Sequence, residues 1–188
     1  MKVKNQYLQK IPRTLNNEKI DSAIEEYFSI LSKTSINIDS KNVLSLFKQL
    51  KRERVKQGPY PGLTVFEVAN RVMTDLVILF GVKKLLKQEE DYMIFDEYTI
   101  ELGNENNQSF DIQAQKENKK LRGEAFNVAS SFFQGKKSSA LSKLRKNNHN
   151  NDTIVILYNS DAPKKGKDYK PVFVENEFHL PVQLDFNI

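Results

Sequence analysis

Apolar residues recur at two different spacings along this chain, and the change of spacing divides it. In the stretch 16–33, Ile20, Ile24, Tyr27, Phe28 and Leu31 fall three or four apart, which predicts an amphipathic helix. A second helix is expected over about 40–56, with Val43, Leu44, Phe47 and Leu50 facing inward. Its basic end, from Lys51 to Gln57, puts cations where the helix dipole favours them. Gly58, Pro59, Pro61 and Gly62 then break the chain. The strongest helix pattern follows. Thr64 and Glu67 fit a capping box, Thr64 as N-cap and Glu67 reaching back to its amide. Val65, Val68, Ala69, Val72, Met73, Leu76, Val77, Leu79 and Phe80 make this helix apolar round most of its circumference, so it should be buried on more than one side. Lys83, Lys84 and Lys87 close it.

From residue 91 the spacing shortens to that of strands. A first strand is expected within 91–103, a polar turn at 104–107, a second strand over 109–115 and a third over 122–128, joined by the basic connection 116–121. A helix over 130–146 should turn Phe132, Phe133, Leu141 and Leu144 inward and its lysines outward. The uninterrupted run 153–158 reads as a strand covered on both faces. A basic loop follows at 164–170, and the tail is expected to add edge strands. Residues 1–62 thus read as an N-terminal helical elaboration, irregular over 1–15. Residues 63–188 read as an α/β core with a C-terminal tail, in one compact domain.

Three of the strand-type runs each carry an acid where a half-buried strand disfavours one: Glu101, Asp111 and Glu124. Asp111 lies between Phe110 and Ile112, and Glu124 is followed by Ala125 and Phe126. Such carboxylates must be hydrogen-bonded, ion-paired or metal-bound, because burying them bare costs too much. Asp111 as a structural acid would pair with Lys120 or Arg122; Glu67 serves its cap in either case.

Composition narrows the chemistry. With 39% hydrophobic residues the chain can build a sizeable core. It has no cysteine and only His149 and His179, which leaves oxygen ligands and favours magnesium, with manganese as the alternative. The net charge is +5, yet between 116 and 146 nine basic residues face two acidic ones, so the rest of the chain is slightly acidic. That asymmetry points to a polyanion surface formed by Lys116, Lys119, Lys120, Arg122, Lys143 and Lys146, although solvated lysines give the same pattern. No signal pattern stands in the sequence. The longest apolar run, 73–82, is interrupted by Thr74, Asp75 and Gly81, so no membrane span and a cytoplasmic location are expected.

Helix, three antiparallel strands, helix and a covered fourth strand make an αβββαβ order, the fourth strand parallel to an earlier one. This order, with Asp111 on the second strand and Glu124 on the third, resembles the core of the PD-(D/E)xK nucleases, type II restriction endonucleases in particular. The resemblance covers about 64–159 and rests on topology more than on motif. It implies a central mixed sheet flanked by helices, with Asp111 and Glu124 holding one or two divalent metals and Glu67 of the first helix joining them. The family's lysine, two residues beyond the third-strand acid, is Phe126 here, and Phe110 stands where the family has proline. In some members the lysine has moved to the next helix, which would make it Lys136 or Lys137. Another registration takes Glu101 as the first acid and Asp111-Ile112-Gln113 as the third-strand element. The first is preferred because a helix and a covered strand then follow Glu124.

The function this resemblance implies is a magnesium-dependent endonuclease on double-stranded DNA, as a homodimer if the target is a palindrome. Asp111 and Glu124 would hold the metal, and Lys136 or Lys137 would stabilise the charge that develops on the phosphate. Two further readings are a nucleic-acid binding module with a degenerate nuclease fold, favoured by Phe126, and a structural partner in a larger nuclease assembly.

Overall fold

The capping box at Thr64 forms as the sequence predicts. Thr64 Oγ1 accepts from the Glu67 amide at 3.3 Å, and Glu67 Oε2 accepts from the Thr64 amide at 2.8 Å. From this start a helix runs 22 residues, Val65–Leu86 (α3). Its buried residues include Val68, Leu76, Val77, Ile78, Leu79, Val82 and Leu85. Gly81 lets it approach the sheet, because the Leu157 and Val182 side chains fill the place a Cβ would take. In the computed structural model described here, residues 7–87, 95–103, 109–147, 152–164 and 170–186 are described.

The other elements are α1 (Ile20–Ser32), α2 (Val43–Arg52), α4 (Phe133–Lys146) and seven strands. These are β1 (Thr14–Asn16), β2 (Glu97–Ile100), β3 (Ile112–Lys116), β4 (Lys119–Phe126), β5 (Thr153–Asn159), β6 (Val172–Val174) and β7 (Glu177–Val182). They form one mixed sheet in the order β1-β2-β3-β4-β5-β7-β6. β1 to β4 pair antiparallel, β5 is parallel to β4, β7 is parallel to β5, and β6 closes antiparallel on β7. The order α3-β2-β3-β4-α4-β5 is the αβββαβ sequence expected, with α4 as the crossover to the parallel strand.

Strand side chains alternate between faces, and each face has its own core. Leu15, Tyr98, Ile100, Ile112, Leu121, Val155 and Leu157 join α3 and α1 in the larger one. Phe126, Ile154, Ile156 and Tyr158 meet Phe133, Ala140 and Leu144 of α4 in the smaller. There the Phe133 and Tyr158 rings meet edge to face, 5.0 Å between centroids.

Several expectations are corrected. The N-terminal 62 residues are not only helical: Thr14–Asn16 becomes an edge strand and α1 packs against α3. Helix α2 has no buried residue; Val43, Leu44 and Phe47 face outward, Leu44 at 79% exposure, and Leu50 is half-buried. Its periodicity is real, but no other part of the described chain covers that stripe. Phe132 precedes α4 and is exposed, so Phe133 alone of that pair enters the core. In the tail only Val172–Val174 is an edge strand; β7 lies inside the sheet. The turn at 104–107, Met93, Ile94, His149 and most of the basic loop at 164–170 lie outside the described residues. Among the described residues no helix is long and apolar enough to cross a membrane.

Candidate functional site: an acidic row beneath α4

Register brings the three strand acids together. Ile100 pairs with Ile112 and Ile112 with Gly123, while the Glu101 amide donates to the Asp111 carbonyl at 2.9 Å. One step beyond each pair, Glu101, Asp111 and Glu124 therefore stand side by side across β2, β3 and β4. All three line one cavity of about 510 Å³, together with Asp75 and Arg71 of α3 and Lys136 and Lys143 of α4.

Asp111 is held by the Ala125 amide, which donates to Oδ2 at 2.9 Å. The structural alternative, an ion pair with Lys120 or Arg122, does not form: Arg122 pairs with Asp152 at 3.1 Å and donates to the Asn147 carbonyl. Burial pushes the Asp111 carboxyl above its ordinary range, with Glu101 adding to the rise; the Ala125 amide, Lys143 and Lys136 work against it. Glu124 is raised too, first by burial and then by Asp111, while Lys143 and Lys136 oppose this. The Lys143 ammonium lies 2.6 Å from Glu124 Oε1. Glu101 is 8% exposed.

The sequence-predicted residues therefore divide. Asp111 and Glu124 converge, and Lys136 lines their cavity. Lys137 is 7% exposed, sits in the packed side of α4 and does not line the cavity. Lys143, expected to grip a nucleic-acid backbone, is instead the cation in contact with Glu124; it follows Lys136 by seven positions, two helical turns on the same face. Glu67 is exposed and spends Oε2 on its cap, whose bonds from Thr64 lower its pKa, although it also lines the cavity. Lys116 pairs with Asp96 at 2.7 Å, whereas Lys119, Lys120 and Lys146 are exposed.

Asp75 is the residue the sequence reading passed over. At 3% exposure it accepts the Tyr27 hydroxyl at 2.7 Å and the Tyr60 hydroxyl on Oδ2, and the Gly103 amide at 3.1 Å on Oδ1. Burial nonetheless drives its pKa up to about 7, with the Asp111 charge contributing. Arg71 donates to the Gly103 carbonyl at 2.6 Å, so α3 holds both polar groups of Gly103, two residues beyond Glu101. A signal was available: one acid inside a helix apolar on most sides has to be partnered.

The donors lining the cavity are carboxylate oxygens, the chemistry of a hard divalent cation. The raised Asp111 and Glu124 fit such an ion, since it would relieve the repulsion between them. Among the described residues, however, no group of three or more His, Cys, Asp or Glu side chains converges closely enough to hold a metal. Comparison with protein-family models, with curated proteins and with solved structures returned no match to this chain.

Proposed function

We propose that this α/β protein, a seven-stranded mixed sheet flanked by helices, is a metal-dependent phosphodiesterase acting on double-stranded DNA, of the restriction-endonuclease-like type. The observation that carries the reading is the acidic row Glu101–Asp111–Glu124 beneath a helix that presents Lys136 and Lys143 to the same cavity. The αβββαβ order around that row supports the PD-(D/E)xK resemblance. Asp111 and Glu124 are the residues that would hold magnesium or manganese, which when bound supplies Lewis-acid polarisation of a phosphate and a water of lowered pKa. The chain's own cations do the rest. Lys143, with Lys136 two turns away on the same face of the helix, stabilises negative charge gathering on the phosphate oxygens. Asp75 and Arg71 fix the Gly103 end of β2 and so hold Glu101 and Asp111 in register. Exposed Lys119, Lys120 and Lys146 add a backbone attraction that weakens with salt. A two-fold dimer suits a palindromic target.

The test is hydrolysis of plasmid DNA by the purified chain with magnesium or manganese and its absence in EDTA. A second reading, a nucleic-acid binding module without catalysis, is favoured by Phe126, which is buried where the family places its lysine. DNA binding without cleavage under any divalent metal selects the second reading; neither binding nor cleavage removes both.

A further inference from the structure

The acidic row does not end the polar surface on its face of the sheet. Residues that pair across strands share a face, and same-face positions along a strand are two residues apart. Thr14 pairs with Thr99, Thr99 with Gln113 and Gln113 with Arg122. These four make a second row on the face of Glu124, two positions along β4 and about 7 Å away. Beyond it lie Asn16 paired with Glu97, and Gln115 paired with Lys120. Helix α4 packs on β4 and β5, so the β1–β3 part of this face is left uncovered by it. Thr99, Gln113, Gln115, Lys120 and Arg122 line a cavity of about 380 Å³ there.

Five of the eight residues on this surface, Thr14, Asn16, Thr99, Gln113 and Gln115, are neutral hydrogen-bonding groups. Lys120 is an exposed cation, Arg122 is already paired with Asp152, and the one acid, Glu97, stands in the row farthest from the acidic site. Neutral amides and hydroxyls beside scattered cations suit the sugars and phosphates of a nucleic-acid strand, which take most protein–DNA hydrogen bonds.

We propose that the face of β1–β3 that α4 leaves open among the described residues is the floor of the substrate groove, where one strand of the DNA duplex lies over Thr99, Gln113 and Gln115 on its way to the acidic row. This rests on the phosphodiesterase reading above, and it assigns strand contact to residues outside the basic stripe.

The absence of cysteine allows a direct test. Gln115→Cys, and separately Ser32→Cys at the exposed C-terminal end of α1 behind the other face, are each labelled with a photoactivated crosslinker. Both are irradiated with a labelled mixed-sequence duplex oligonucleotide in EDTA. Crosslinking from Gln115→Cys and not from Ser32→Cys is the expected result. In unlabelled protein, Gln113→Glu with Gln115→Glu should weaken duplex binding roughly tenfold and raise KM, with kcat at saturation kept. Equal or absent crosslinking from Gln115→Cys, or unchanged binding by the double variant, overturns the groove while wild-type binding and cleavage leave the phosphodiesterase reading standing. A wild type that neither binds nor cleaves the duplex overturns both.

Discussion

Asp75 and the Asp111–Glu124 pair are buried acids lining one cavity, yet their surroundings differ. Asp75 receives three donors from three parts of the chain: Tyr27 of α1, Tyr60 of the turn before α3, and Gly103 at the end of β2. Asp111 receives one amide, from Ala125, and Glu124 one ammonium, from Lys143. Asp75 therefore ties elements together, whereas Asp111 and Glu124 repel each other and are offset mainly by the two lysines of α4. A buried polar group that is well satisfied stabilises the fold; one left under-compensated marks a place where the fold gives up stability for chemistry.

The largest expected effect tests the second half of this contrast. Asp111→Asn or Glu124→Gln should take plasmid cleavage below detection while leaving DNA binding intact or tighter. In EDTA the variants should melt in urea at the wild-type midpoint or above it, because a repelling charge has been removed. Wild-type cleavage by Asp111→Asn ends the assignment. Loss of stability in both would place them with Asp75 as structural acids.

Next comes Asp75 itself. Asp75→Leu strands two hydroxyls and an amide in the core, at about 1–3 kcal/mol for each unsatisfied group, partly offset by removal of a desolvated charge. A net loss of at least about 2 kcal/mol in denaturant melts is expected, comparable to the lower end of about 2–5 kcal/mol for Leu76→Ala in the adjoining core. A change under about half a kcal/mol would mean that the three donors do not hold the fold.

The unequal visibility of these acids in the sequence has a physical cause. Strand acids betray themselves because alternation fixes which face they take, so Glu101, Asp111 and Glu124 could be singled out from their neighbours and the αβββαβ order inferred. Asp75 registers only as an interruption of an apolar run, since its partners lie 48, 15 and 28 residues away and no local pattern announces them. For the same reason α2 was assigned a buried face: periodicity shows which side of a helix is apolar, but not whether anything covers it. The sequence offers Lys136 or Lys137 for the lysine of the site and does not single out Lys143, because the three differ only in which side of α4 meets the sheet.

A smaller effect lies in pH. A carboxyl whose folded pKa is raised binds its proton more tightly folded than unfolded. The stability it contributes is full below the unfolded value near 3.8 and is lost as pH rises through the folded value of about 7. The stability difference between wild type and Asp75→Asn should therefore shift against the wild type between about pH 4 and 7, and hold level above. Asp111 and Glu124 are raised in the same direction, but both proteins keep them, so only the coupling of Asp111 to Asp75 remains in the difference. A flat difference across that window would show Asp75 ionised throughout.

The smallest change in stability belongs to Lys143. Its ammonium is 2.6 Å from Glu124, but the lysine side chain is 47% exposed, so water and salt screen the pair. Lys143→Gln should alter stability by less than about 1 kcal/mol, far less than Asp75→Leu. Its effect on cleavage should be much larger, because the same cation sits over the acidic row where phosphate charge must be stabilised. Lys136→Gln should act in the same direction from one face of the helix, whereas Lys119→Gln, at the tip of the β3–β4 hairpin, should only flatten the salt dependence of binding. Cleavage that survives Lys143→Gln at the wild-type rate would return this lysine to an ordinary surface ion pair and leave Lys136 as the cation of the site.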